Sequence, residues 1–175
     1  RTSGEYTGAD GGAIAVGANC TFSITNAQFN SNNATSVAEK KGNGGAVSIN
    51  ETRDAEDMMN LPIHNVVFKD NKASYQGGAL RVAENCNLVV DNCTLKNNGA
   101  NTSSSGNYPG EGGAIAALSK ADAPSVLTIN GGTFTGNSAK GSKGGAVKIG
   151  GFGTLTLSGS LTMSGNSAAY GGAVT

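Results

Sequence analysis

The chain has 175 residues, 28 of them glycine, no tryptophan, and 12 lysines and arginines against 12 aspartates and glutamates. A zero balance with no basic cluster excludes the electrostatic footprint of a nucleic-acid binder and the polybasic tail that holds a protein to an anionic membrane. The length suffices for one domain with a core, and no apolar run reaches the length of a membrane span, so no direct insertion of this segment is expected.

In chain order the sequence repeats itself. The first unit opens at Gly11-Gly12, continues with Ile14 and Val16, passes through "TFSIT" at 21–25 and reaches "FNSN", Phe29 to Asn32. The second opens at Gly44-Gly45, with Val47 and Ile49, "LPIHN" at 61–65 and "FKDN", Phe68 to Asn71. The third opens at Gly77-Gly78, with Leu80 and Val82, "NLVVD" at 87–91 and "LKNN", Leu95 to Asn98. The fourth opens at Gly112-Gly113, with Ile115 and Ala117, "VLTIN" at 126–130 and "FTGN", Phe134 to Asn137. The fifth opens at Gly144-Gly145, with Val147 and Ile149, "TLTLS" at 154–158 and "MSGN", Met163 to Asn166. A sixth glycine pair stands at Gly171-Gly172. The intervals between first glycines are 33, 33, 35, 32 and 27 residues. Two linked signals at one period mark a repeat architecture.

Within each unit the apolar segments alternate with polar residues, the period of a half-buried strand, and nothing repeats at 3.6. Three short strands per unit, stacked, predict an all-β fold: a right-handed parallel β-helix of about five to six coils, forming a single domain over 1–175. The inward sets follow by alignment: the aliphatic residues after each glycine pair, then Phe22 and Ile24, Leu61 and Ile63, Leu88 and Val90, Leu127 and Ile129, Leu155 and Leu157. The third strand is assigned to Phe29, Phe68, Leu95, Phe134 and Met163. The first glycine is expected to turn a corner with positive φ, and the second, with the alanine, to let corners stack. Asn32, Asn71, Asn98, Asn137 and Asn166 are expected to hold another corner and to pair along the axis. These glycines and asparagines are read as structural.

The chain begins at Arg1 with no initiator methionine and no signal peptide, so a fragment of a longer repeat protein is expected. Cys20, Cys86 and Cys93 lack a CxxC pair and are read as small buried or half-buried residues, in preference to a disulfide.

The pairing of GGA-aliphatic with F-x-x-N, from Gly11 to the end, resembles the polymorphic membrane protein repeats of chlamydiae. That resemblance implies an autotransporter-passenger-like β-helix acting as an adhesin and immune target. The chain departs from the family in lacking a C-terminal translocator barrel and in carrying Leu95 and Met163 at two of the phenylalanine positions.

Binding is expected in the insertions and outward residues. Long corners occur at 35–43, 50–60, 99–111 and 119–125. All four tyrosines, Tyr6, Tyr75, Tyr108 and Tyr170, precede a glycine pair, where a tyrosine column would stack on sugars or anchor a protein. Arg53, Met58 and Met59 lie in one insertion and complete the candidate binding set. Catalysis is not expected. The outward column Ala15, Ser48, Arg81, Ala116 and Lys148 has no acid, His64 faces out with no acid nearby, and Arg81 with Glu84 reads as a surface pair. No metal site, cofactor or phosphate loop is expected. The reading is a segment of a bacterial cell-surface or secreted adhesin whose partner is a host surface protein or glycan. The alternatives are a carbohydrate-active β-helix whose catalytic coils lie elsewhere, or a spacer.

Overall fold

Each unit of the repeat winds once around a common axis. The computed structural model describes residues 10–17, 20–36, 42–50, 58–100 and 110–175. The first coil contributes β1 (Ile14–Val16), β2 (Ile24–Thr25), β3 (Gln28–Asn30) and β4 (Asn33–Ala34). The second contributes β5 (Val47–Ile49), β6 (Met59–His64), β7 (Val67–Lys69) and β8 (Lys72–Ala73). In the third lie β9 (Leu80–Val82), β10 (Cys86–Lys96) and β11 (Gly99–Ala100). The fourth holds β12 (Ile115–Ala117), β13 (Val126–Thr135) and β14 (Ser138–Lys143). The fifth holds β15 (Val147–Ile149), β16 (Thr154–Ser164) and β17 (Ser167–Tyr170). A bridge between Val147 and Val174 starts a sixth.

All strand pairs are parallel. The first sheet is β1-β5-β9-β12-β15 and the third is β4-β8-β11-β14-β17. The second stacks β2 and β3 on β6 and β7, then β10, β13 and β16. Like falls over like: Val47 pairs with Leu80, Leu80 with Ile115 and Ile115 with Val147. Leu61, Leu88, Leu127 and Leu155 form a second column. Phe29 and Phe68 stack with ring centroids 5.1 Å apart. In the middle coils these inward residues are fully buried, which supplies the hydrophobic drive for coil on coil. Ile14, Phe22, Met163 and Leu155 of the outer coils are half-buried, and Leu157 is 45% exposed, so the inward set is least covered there.

The third strand is not where the sequence placed it. Phe29, Phe68, Leu95, Phe134 and Met163 face inward but lie in the second sheet, continuous with the preceding segment in β10, β13 and β16. A left-handed step separates the two segments: one residue at Asn26, Asn65, Asn92 or Gly159, and the pair Gly131 and Gly132 in the fourth coil. Such a step kinks a strand without turning a corner. The third sheet is built instead from the strands after each asparagine, two residues long in β4, β8 and β11 and longer in β14 and β17.

The glycine corners behave as expected. The first glycines have φ between 61° and 69°. Gly78, a second glycine, has no room for a side chain: a Cβ there would overlap the carbonyl oxygen of Gly113 on the next coil. At the other corner the left-handed residue is the one before the asparagine: Ser31, Asp70, Asn97, Gly136 or Gly165. The asparagine has a different task. The Asn32 backbone N–H and Nδ2 donate to Asn71 Oδ1 at 2.9 and 3.0 Å, and the same double bond links Asn71 to Asn98, Asn98 to Asn137 and Asn137 to Asn166. Asn98 Nδ2 also donates back to the Phe68 carbonyl at 3.0 Å. The ladder satisfies polar groups that a buried corner would otherwise strand.

Candidate functional site

The outward column of the first sheet is in the register the sequence implied: Ala15, Ser48, Arg81, Ala116 and Lys148. Alternation in three-residue strands turns these side chains away from the core. Two of them are nonetheless covered, for Ser48 and Ala116 are fully buried. Beside them Lys148 Nζ meets Glu111 Oε2 at 3.1 Å, with only 16% and 19% of the two side chains exposed. The same oxygen accepts from Gln76 Nε2 at 3.0 Å. Glu111 therefore ties three coils together from the corner before its glycine pair. Burial pushes the Tyr75 phenol above its ordinary value, and the Glu111 carboxylate adds to that shift.

Arg81 donates through Nη1 to the Ile49 carbonyl at 3.2 Å, while its buried Nε has no partner. Ser48, directly paired with Arg81, has a buried Oγ without a partner, as does Asn43 at Oδ1. These three, the buried side-chain polar atoms without a partner among the described residues, depart from the usual satisfaction of buried groups. Glu84 bonds Lys120 at 3.1 Å. Burial pushes its carboxyl up, but its own backbone N–H, Lys120 and Arg81 outweigh that and hold it below its ordinary value.

The two described tyrosines, Tyr75 and Tyr170, do not share a row. Tyr170, 67% exposed, pairs with Lys143 and continues the row that runs back through Glu111 to Gln76. Tyr75 is half-buried and stands one residue before that row, about three rungs or ~14 Å away along the axis. Tyr6, Tyr108 and Arg53 lie outside the described residues. Met58 is half-buried, and Met59 begins β6 with its side chain in the core. Met59 is thus a packing residue, because the strand starts earlier than the loop reading placed it.

His64 has an acid after all. Its Nδ1 lies 2.6 Å from Asp91 Oδ2 on the next coil. Asp91 Oδ1 accepts from Asn130 Nδ2 at 2.9 Å, and Ser158 Oγ donates to Asn130 Oδ1 at 3.3 Å. This polar row crosses the exposed face of the second sheet. At the corner between the second and third sheets an open groove of about 450 Å³ is lined by Ser31, Asn32, Asn33, Asp70, Lys72 and Asn97. Among the described residues no cluster of three or more His, Cys, Asp or Glu could hold a metal ion. Cys86 and Cys93 are buried, Cys20 is exposed, and none of the three forms a disulfide.

Three parallel sheets wound about one axis, with ladders of asparagine and glycine at the corners, define a parallel β-helix. The family model of the right-handed beta helix region matches residues 5–168, and the chain belongs to that family. No curated protein and no solved structure matched the chain.

Proposed function

We propose that this chain is a binding segment of a bacterial cell-surface or secreted adhesin, related to the passenger repeats of the polymorphic membrane protein type, whose partner is a host surface protein or glycan. The observation that carries the reading is the outer side of the first sheet. There Tyr75, Gln76, Glu111 and Lys148 form a half-buried polar patch next to the unpartnered groups of Ser48 and Arg81. Rigid coils hold these groups in place, so a partner meets them with little ordering cost.

The test is binding of the folded chain to host-cell surfaces and to a glycan array. Tyr75→Ala combined with Glu111→Gln and Lys148→Ala is expected to reduce binding while the circular dichroism spectrum stays unchanged. Binding that survives the triple substitution rejects the patch. Release of oligosaccharides from acidic polysaccharides would favour a carbohydrate-active protein, and silence in every assay a spacer.

A further inference from the structure

The outer face of the second sheet changes character along the axis. In the second and third coils it carries His64, Lys69, Asp91 and Lys96. In the fourth coil the outward residues of β13 are Val126, Thr128, Asn130, Thr133 and Thr135. In the fifth coil those of β16 are Thr154, Thr156, Ser158, Thr162 and Ser164, all exposed. No charged residue occurs in 123–139 or in 149–175. Protein surfaces ordinarily intersperse charge of both signs. β16 is eleven residues long, uncharged and without proline.

The hydroxyls on this strip fall in two runs, one on each side of the register shift at Asn130 to Gly132. Outward residues two apart in a strand lie about 6.6 Å apart, and neighbouring rungs about 4.8 Å. Each hydroxyl both donates and accepts. The register keeps like opposite like: Thr128 pairs with Thr156, Thr133 with Thr162, and Thr135 with Ser164.

A second observation lies at the head of the same strand. Phe152 is 74% exposed and holds φ at +66° two residues before Thr154. A bulky residue in the left-handed region is an outlier. Gly151 and Gly153 flank it, so the chain places an aromatic where glycine would sit without strain. An exposed ring is an apolar plate of the kind on which the C–H face of a sugar packs.

We infer that the strip formed by β13 and β16, with Phe152 at its head, is a docking surface for a neutral glycan chain. The absence of charge suits a partner without charge. The paired donors and acceptors suit a partner rich in hydroxyls, and the ring suits the apolar side of a pyranose. This rests on the reading of the chain as a binding scaffold but uses a face other than the Tyr75 patch.

The experiment is retention of the folded chain on immobilised neutral polysaccharides (cellulose, mannan and dextran) and on polygalacturonate, at low and high salt. Retention on at least one neutral polymer that survives high salt is expected, because exposed charge pairs are screened and these contacts are not. Thr156→Lys with Thr162→Lys is expected to weaken retention about tenfold, the scale of losing one buried anchor. Phe152→Gly is expected to weaken retention while raising the melting temperature, a combination that general damage to the fold does not produce. The triple substitution in the Tyr75 patch is expected to leave this retention unchanged. Retention only on polygalacturonate and only at low salt, no retention on any neutral polymer, or variants that bind as the parent does would each overturn the inference. Host-cell binding that persists through the Tyr75 patch in those cases would leave the adhesin reading standing.

Discussion

Two donors of Asn71 share one acceptor on Asn98: the Asn71 backbone N–H and its Nδ2 both donate to Asn98 Oδ1, each at 3.0 Å. Asn98 in turn donates to Asn137 and to the Phe68 carbonyl, and both residues are buried. Asn98→Ala therefore strands the Asn71 donors and the Phe68 acceptor together. At one or more kcal/mol for each buried group left unpaired, the expected loss is about 3 kcal/mol. Asn166→Ala removes an acceptor from a half-buried rung and should cost about 1 kcal/mol. Urea unfolding of the two variants checks the ratio, and equal losses would show that the ladder does not act through burial.

The second glycine of the first five corners, Gly12, Gly45, Gly78, Gly113 and Gly145, is predicted to tolerate nothing. Gly78→Ala drives a Cβ into the Gly113 carbonyl and the Gly99 backbone. Backbone cannot swing aside as a side chain can, so a loss above about 4 kcal/mol is expected, enough to prevent folding of a marginally stable domain. Gly141 is a fair control. It has φ +79°, and a methyl group added there would meet nothing within 4 Å. Gly141→Ala should cost only about 1 kcal/mol, the conformational penalty alone. Soluble yield and thermal melts of the pair separate packing from backbone strain.

Burial pushes the Cys86 thiol up to about 11 from an ordinary 9.0, with Arg81 lowering it and Glu84 raising it by smaller amounts. A raised folded value means that the neutral thiol is the favoured form. Its contribution to stability is complete below pH 9.0 and is lost as pH climbs towards about 11. Melting temperature is expected to fall across that window, and Cys86→Ala to flatten the fall. In the native protein at neutral pH, Cys20 should react with iodoacetamide well before Cys86 and Cys93, which peptide mapping after timed alkylation will show.

Tyr75 offers a test of the candidate patch itself. Its phenol is raised by burial first and by Glu111 second. Glu111→Gln removes the charge and keeps the shape, so Tyr75 should ionise at lower pH than in the parent. Tyrosinate absorbance, read as a difference between the parent and Tyr75→Phe in each background, isolates the one residue. No movement would place Glu111 too far from the ring to matter.

Much of the scaffold was legible because glycine and aliphatic residues obey local geometry. Gly77 and Leu80 announce a corner and a strand in four letters, and alternation located Leu61, Leu88 and Leu127 in one column. The third sheet escaped because Lys72–Ala73 and Gly99–Ala100 are two residues long, too short to show a period. A signal was present: each ladder asparagine is followed two residues later by alanine, from Ala34 to Ala168, and small residues are what a narrow inner corner admits. The His64–Asp91 contact was also within reach. Aligning Leu61 with Leu88 places His64 beside Asp91, although the two are 27 residues apart in sequence. Spacing from the glycine pair already separates the two described tyrosines: Tyr170 stands immediately before Gly171, and Tyr75 one residue further from Gly77. Burial of Ser48 was not legible, since a strand's outward side is read as wet until its surroundings are known.

All three sheets place their inter-strand hydrogen bonds along the long axis. A pull on that axis loads the rungs in series, and the weakest one opens first. A coil of 33 residues takes up about 4.8 Å of axis but releases about 110 Å once unwound, at 3.3 Å or more for each residue. Under tension the molecule lengthens like line coming off a reel, one turn at a time, and dissipates work at each step while the remaining turns stay wound.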